Sequence, residues 1–345
     1  MQPVPSGVVC AGGLARRSDT EIEVSRSGPA TVPPCIKDRC RNDVRCPARQ
    51  SKRCDAREVK TQEVSTSLGP VEVSWAGPTG GSVVLVFPGG HCSAATPLGA
   101  DLYTDVGFRV LTFSRPGYGR TRVGPLTAAE FVPAVAEVCD GLGIGEATAT
   151  VGVSFGGLQA VHVAVALVHL APRLVLHSCA PSTLPYPDTR LEAAAGPLGF
   201  SPLTQGLTWR AIRSLTSSDR GLRLMMSTLS KLPIDSWWTK WTPADRASAR
   251  ATFAGMSSGS GFVTDLRQGA ADRAAYRQAV LRSVPCPTLV TASRHDGGVS
   301  FEHAEDFVRT VPRAQLIDTN APCHFYWLGP DRPAVSQAIH AFVVD

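Results

Sequence analysis

Three residues have the types and chain order for covalent chemistry: a serine, an aspartate and a histidine. Ser154 lies in Gly152-Val153-Ser154-Phe155-Gly156, Asp296 in Arg294-His295-Asp296-Gly297, and His324 in Ala321-Pro322-Cys323-His324-Phe325-Tyr326-Trp327. A serine hydroxyl alone is a poor nucleophile. It needs a base to take its proton and an acid to hold that base in the useful tautomer. The order Ser, Asp, His is one in which this set recurs. Each residue also has a plainer reading. Gly-x-Ser-x-Gly can arise by chance in a chain with 32 glycines, and Asp296 can be an ordinary turn aspartate. The rivals of His324 are His295, beside Asp296 itself, and His340, inside the last helical pattern.

The elements around the serine favour the chemical reading. Thr148 to Val153 is a β-branched run, and an Ala/Val-rich helical pattern follows Gly157. Strand, sharp turn and helix would hold Ser154 in a strained conformation that lifts its hydroxyl clear of a sheet. Glycines two places before and after it suit a turn too tight for Cβ atoms, and Gly157 lets the helix pack closely on the strand. The Phe155 N–H, backed by the positive end of that helix, is a candidate oxyanion donor. Gly90, in Phe87-Pro88-Gly89-Gly90-His91, is the candidate for the second donor.

The rest of the chain reads as strands alternating with helices, which implies a mostly parallel central sheet flanked by helices. Alternating runs at Gln62–Ser67 and Val71–Trp75, around Leu68-Gly69-Pro70, predict a hairpin. Continuous apolar runs at Ser82–Phe87, Arg109–Ser114, Arg173–Cys179 and Pro287–Ala292 predict strands buried on both faces, and Ala314–Asp318 a further strand. Helices are expected near Thr96–Val106, from a Thr127/Glu130 capping box to Leu142, at Ser300–Val311 and at Pro333–Val343. Between Pro181 and Pro285 the alternation stops. Helical patterns such as Leu207–Leu215 and Gly221–Leu232 replace it, with Trp237, Trp238 and Trp241 between them and the next strand. Residues 182–284 are therefore expected to form a helical cap inserted into a core of residues 61–181 and 285–345. Ligands bind such sheets at the strand C-termini, which is where a cap would sit.

Residues 1–60 have a different composition. They hold 12 Lys/Arg against 7 Asp/Glu, which accounts for the whole net charge of +5, and the remainder is neutral. Rich in Pro, Ser, Arg and Cys without apolar periodicity, the segment is expected to be disordered. Its cysteines, Cys10, Cys35, Cys40, Cys46 and Cys54, do not have paired metal-ligand spacing. The body has no basic stripe for nucleic acid and no apolar run long enough for a membrane span. Its five cysteines are scattered singly, as in a reduced cytoplasmic protein. Neither a metal nor a cofactor is called for, the expected partner is a small-molecule substrate, and no pattern sets an oligomeric state.

With these residues in view the chain resembles the α/β-hydrolase fold superfamily, over about residues 61–345. The turn at Gly152–Gly157 is similar to the family's nucleophile elbow, and Phe87–His91 to its oxyanion loop. Ser114-Arg115-Pro116-Gly117-Tyr118-Gly119-Arg120-Thr121 resembles the Asp-Arg-Pro-Gly-Tyr-Gly-x-Ser turn of capped members. Asp296 and His324 stand in contexts similar to its acid and base loops. The chain departs from the pattern at Pro88-Gly89, where the family often has His-Gly. The resemblance implies a cofactor-independent serine hydrolase, most simply of carboxylic esters. Cleavage of a C–C bond, lactone or amide, acyl transfer, and a non-catalytic binding protein stay open beside it. His91 and Cys92 fall near the nucleophile as pocket or packing residues. Trp237, Trp238 and Trp241 either wall an acyl pocket or form the cap's core.

Overall fold

The computed structural model describes residues 59–188, 196 and 198–344. The disorder expected of residues 1–60 therefore lies outside the described residues, apart from Val59 and Lys60. Eight strands form one sheet: β1 (Thr61–Thr66), β2 (Gly69–Ala76), β3 (Val83–Phe87), β4 (Arg109–Phe113), β5 (Ala149–Val153), β6 (Leu174–His177), β7 (Thr288–Ala292) and β8 (Ala314–Asp318). Their order across the sheet is β1-β2-β4-β3-β5-β6-β7-β8. The β1/β2 and β2/β4 pairs are antiparallel, and every later pair is parallel. The central strands are mostly apolar because helices cover both faces, and their few polar residues, such as Thr150 and His177, are buried with hydrogen-bond partners.

The helices are α1 (Asp101–Thr104), α2 (Val132–Gly141), α3 (Gly156–Ala166), α4 (Gln205–Thr216), α5 (Asp219–Thr228), α6 (Pro243–Gly255), α7 (Gly261–Gly269), α8 (Ala274–Arg282), α9 (Phe301–Thr310) and α10 (Arg332–Val344). Helices α4 to α8 all lie between β6 and β7. None of the described helices is long and apolar enough to cross a membrane.

Several boundaries differ from the sequence expectation, for local reasons. The helix expected over Thr96–Val106 shrinks to α1, because Pro97 lacks an N–H and Gly99 takes a positive φ of 65° against the Trp327 ring. Thr127 and Glu130 do bond to each other as a capping box, but they cap a turn. Pro133 cannot donate to Ala129, so the regular ladder starts only at Val132. The hairpin turns at Ser67-Leu68, and Gly69 and Pro70 already pair with Thr66 and Ser65. The pattern expected to run to Leu232 ends at Thr228, because the N–H groups of Lys231 and Leu232 bond to His295 O and Ser230 Oγ and Pro233 has none to offer Leu229 O.

Two large apolar clusters sit on the sheet. One packs α2, α3 and α9 against strands β2 to β7. The other runs from Val84, Val110 and Val151 through Tyr326 and Trp327 to Leu222, Met226 and Phe253 of α5 and α6. The helices between β6 and β7 thus share a core with the sheet, and burial on this scale makes them one cooperative body with it.

A very close backbone approach lies where α3 starts. A Cβ on Gly156 would overlap the Phe87 carbonyl oxygen at the end of β3, and one on Gly152 would lie 2.6 Å from the Gly157 Cα. Gly156→Ala is expected to cost about 3 kcal/mol, the upper part of the range for overpacking. A fall in Tm on the order of 10 °C should accompany it. Calorimetry of the variant checks this, and an unchanged Tm would mean that the turn can open.

Candidate active site

The loops after β3, β5, β7 and β8 carry the candidate residues, so parallel pairing gathers all of them at one edge of the sheet. Ser154 follows β5 directly. Its φ is +52°, a left-handed conformation costly for any side chain, and its N–H donates to His177 O at 3.0 Å. The strained turn read from the sequence is therefore present.

Asp296, on the loop after β7, is 2% exposed. One carboxylate oxygen, Oδ1, accepts the backbone N–H groups of Gly298 at 2.7 Å and Val299 at 3.0 Å. The other lies 2.8 Å from His324 Nδ1. A carboxylate with an oxygen held by two backbone donors cannot rotate, so it presents the second to the imidazole in one orientation. Burial disfavours a charged His324, but the Asp296 charge and hydrogen bond outweigh it, and the pKa is raised above the usual 6.5. His295 does not take this place: its carbonyl accepts from Lys231 N–H at 2.8 Å. His340 lies in α10, beside Phe108.

Residues following α5 hold this pair from the other side. Leu229 O accepts the N–H groups of Gly297 at 3.1 Å and His324 at 2.9 Å. Ser230 bridges Asp296 in an antiparallel pairing, and its hydroxyl donates to Pro322 O. The loops bearing Asp296 and His324 are thereby stitched to one segment that neither sheet register nor motif spacing could reveal.

Arg115 organises the loop after β3. It is 4% exposed. Its Nε–H donates to Pro88 O at 2.8 Å and one terminal nitrogen to Gly89 O at 3.1 Å. The other side of the guanidinium forms a two-pronged pair with Asp265 of α7 at 2.6 and 2.8 Å, and Tyr118 Oη–H donates to the same carboxylate at 2.6 Å. The Gly89 carbonyl and the Gly90 N–H belong to one trans peptide plane and point in opposite directions. Drawing the carbonyl toward Arg115 therefore turns the Gly90 N–H away from it. Neither that N–H nor the Phe155 N–H has an acceptor among the described residues. Arg115 thus braces the loop in which Pro88-Gly89 stands for His-Gly. That an arginine in this turn braces it through a salt bridge is readable from the sequence, but its partner is not, because Asp265 is 150 residues away.

Ser154 and His324 border one cavity of about 280 Å³, together with Gly89, Gly90, His91, Cys92 and Phe155. Of the two readings of Trp237 and Trp238, pocket wall or core, the structure supports the core, and the pocket reading is corrected. Both lie outside its lining and pack with Trp241, at ring separations of 5.1 to 6.1 Å, in the core shared by α5 and α6. Short helical turns between α5 and α6 roll these indoles inward, where apolar burial holds them. The aromatic wall comes instead from Tyr186, Phe200, Trp209, Phe262 and Trp327. These residues are scattered along the chain: the helical pattern at Leu207–Leu215 contains Trp209, Trp327 falls in the stretch around His324, and no pattern marked the others.

A mostly parallel sheet, a strained serine at a strand–helix turn and a histidine–carboxylate pair beside the same cavity define a hydrolase of α/β type. The chain belongs to the alpha/beta hydrolase fold family, whose model matches residues 83–328. It is 28% identical over 294 residues to the uncharacterized hydrolase YcgS of Bacillus subtilis (strain 168), covering 82% of this chain and 98% of that protein. Among solved structures it is similar to an alpha/beta hydrolase fold protein from Nakamurella multipartita. That match has a TM-score of 0.68 and 21% identity, over 82% of this chain and 99% of that one. It is also similar to the naproxen esterase (carboxylesterase NP) of Bacillus subtilis, with a TM-score of 0.55 and 18% identity, over 82% and 91% of the two chains.

Removing one partner of a buried ion pair leaves the other charge uncompensated. Asp265→Ala should therefore destabilise the protein by about 3–5 kcal/mol. Replacing both partners, as in Arg115→Met with Asp265→Leu, should recover part of that loss. Urea unfolding of the two variants tests this, and a double variant less stable than the single one would refute it.

Proposed function

We propose that the protein is a serine hydrolase of carboxylic esters, working through an acyl-enzyme on Ser154. The observation that carries the reading is the Asp296–His324 pair, held by backbone donors on its carboxylate side, beside the cavity that Ser154 borders. In this reading His324 Nε2 takes the Ser154 hydroxyl proton as the oxygen attacks the ester carbonyl. The Gly90 and Phe155 N–H groups, both without acceptors among the described residues, receive the oxyanion. His324 then gives the proton to the departing alcohol. Water repeats the sequence on the acyl-enzyme, and Ser154 is regenerated. Asp296 stabilises the imidazolium and stays ionised. The segment between β6 and β7 acts as the cap that shapes the acyl and alcohol sites. Five buried, unpaired cysteines, Cys92, Cys139, Cys179, Cys286 and Cys323, suit a reducing compartment such as the cytoplasm.

The first experiment is intact-mass analysis after exposure to a fluorophosphonate. One adduct is expected on the wild type and none on Ser154→Ala. A folded wild type that takes no adduct would favour a binding protein with a hydrolase fold.

Two kinetic outcomes follow from the geometry. A base must be neutral to act, and a raised His324 pKa moves its neutral range upward. The kcat/KM profile should therefore rise with pH along a limb centred above 6.5 and fall as acid protonates the imidazole. Asp296→Asn should keep the fold but lose about 10⁴ in kcat, since an amide no longer selects the tautomer. Steady-state kinetics from pH 5 to 9 on both proteins checks the pair. A flat profile, or near-normal turnover by the variant, would remove His324 and Asp296 from these roles.

A further inference from the structure

The cavity beside Ser154 has no Asp, Glu, Lys or Arg among the described residues that border it. A charged ligand would be desolvated there without a countercharge, so the site suits a neutral one. Two of its polar side chains are spent inside the protein. Tyr186 Oη–H donates to Gly298 O at 2.7 Å, and Trp209 Nε1–H donates to Ser258 Oγ at 2.9 Å.

His91 is held differently. It follows the candidate oxyanion residue Gly90, and its φ is +64°. A side chain in that conformation costs about 1–3 kcal/mol that a glycine would avoid. The segment after α6 fixes both its ends: Ser257 N–H donates to His91 O at 2.7 Å, and Ser258 Oγ lies 2.8 Å from His91 Nδ1. Its ring is packed against Phe262 at 4.0 Å and Phe200 at 4.5 Å between centroids.

The hydrogen bonds select a tautomer. Ser258 Oγ already accepts the Trp209 N–H, and its own hydrogen has one acceptor within reach, His91 Nδ1. With that bond made, a neutral His91 carries its proton on Nε2. Burial and the Arg115 charge keep it neutral, with a pKa lowered to about 3. Nε2 has no partner among the described residues. Nor is it one of the buried polar atoms left without one, which are Trp237 Nε1, Trp241 Nε1, Arg246 Nε and Arg332 Nε. It is therefore not sealed in the protein, and His91 is one of the residues that border this cavity.

We propose that His91 is a specificity residue that donates Nε2–H to a second acceptor oxygen of the substrate, close to the scissile carbonyl. The substrate class is then a neutral, largely apolar or aromatic ester bearing an ether, ester or carbonyl oxygen near the reacting group. This rests on Ser154 being the nucleophile. A site with a buried donor discriminates strongly against an analogue that leaves the donor unpaired.

Isosteric substrate pairs test it, because each pair differs by one oxygen. These are 4-nitrophenyl methoxyacetate with butanoate, 4-nitrophenyl 3-methoxypropanoate with pentanoate, and 2-methoxyethyl with butyl benzoate. The ratio of kcat/KM within each pair, compared between wild type and variant, cancels intrinsic reactivity. In His91→Phe, which keeps a ring and loses the donor, the ether preference of at least one pair should fall about tenfold. His91→Gln, which keeps a donor, should regain part of it. Ratios within twofold of wild type for all three pairs in His91→Phe would overturn the proposal.

A second readout does not depend on turnover or on that variant folding. In ¹⁵N-histidine-labelled Ser154→Ala, His91 should be neutral and protonated on Nε2, and its Nε2 resonance should move with an ether ester and not with its isostere. An Nδ1-protonated His91, or equal responses to both members of all three pairs, would refute the assignment. Absence of both a fluorophosphonate adduct and ester cleavage in the wild type would instead sink the Ser154 reading, and the NMR result alone would then decide the role of His91.

Discussion

The buried pair of Arg115 and Asp265 joins the two halves of the molecule at the point where the chemistry is proposed. The two guanidinium edges act separately, one gripping the α7 carboxylate and the other holding the carbonyls of Pro88 and Gly89. A charge so far from water persists only if its hydrogen-bonding capacity is filled, and here backbone and carboxylate fill it together. The outcome is that the direction of a loop peptide after β3 depends on a helix more than a hundred residues later. Any displacement of α7 would reach Gly90 through one side chain.

A parallel arrangement holds the other end of the site. Asp296 is anchored by the backbone N–H groups of Gly298 and Val299, while the carbonyl of Leu229 secures the loops of both Asp296 and His324. Backbone groups do most of this holding, and they cannot swing away as side chains do. Four non-glycine residues among those described take a positive φ, His91, Ser154, Ser178 and Asn320, and two of them, Ser154 and His91, border the cavity. Each is fixed by neighbours that make the strained state the stable one. Residues of the segment between β6 and β7 therefore complete the support of Asp296, His324 and the loop bearing Gly90.

Much of this was legible in the residues alone. Apolar runs of five or six marked the central strands, because a parallel strand covered on both faces has no polar side to interrupt it. Gly152, Ser154 and Gly156 marked the turn because only glycine tolerates the approach of α3 to Phe87. Asp296 and His324 were legible as candidates from their position just past strand ends. Local chemistry also set limits that periodicity missed: Pro133 shortened α2, and Pro97 with Gly99 reduced an eleven-residue expectation to α1.

What the sequence determined by itself was the class of fold and the identity of the candidate residues, since both follow from short-range pattern: strand hydrophobicity, glycine spacing and chain order. The tertiary structure alone decided who surrounds them. Arg115 and Asp265 are 150 residues apart, and the cavity's aromatic wall is gathered from four separate segments, while Trp237 and Trp238 turn into the core. Such contacts are set by how helices pack on a sheet, and packing depends on shape and volume summed over many residues. No spacing along the chain encodes that sum, so the site's supports, and the wall that would choose a substrate, became visible only when the chain was folded.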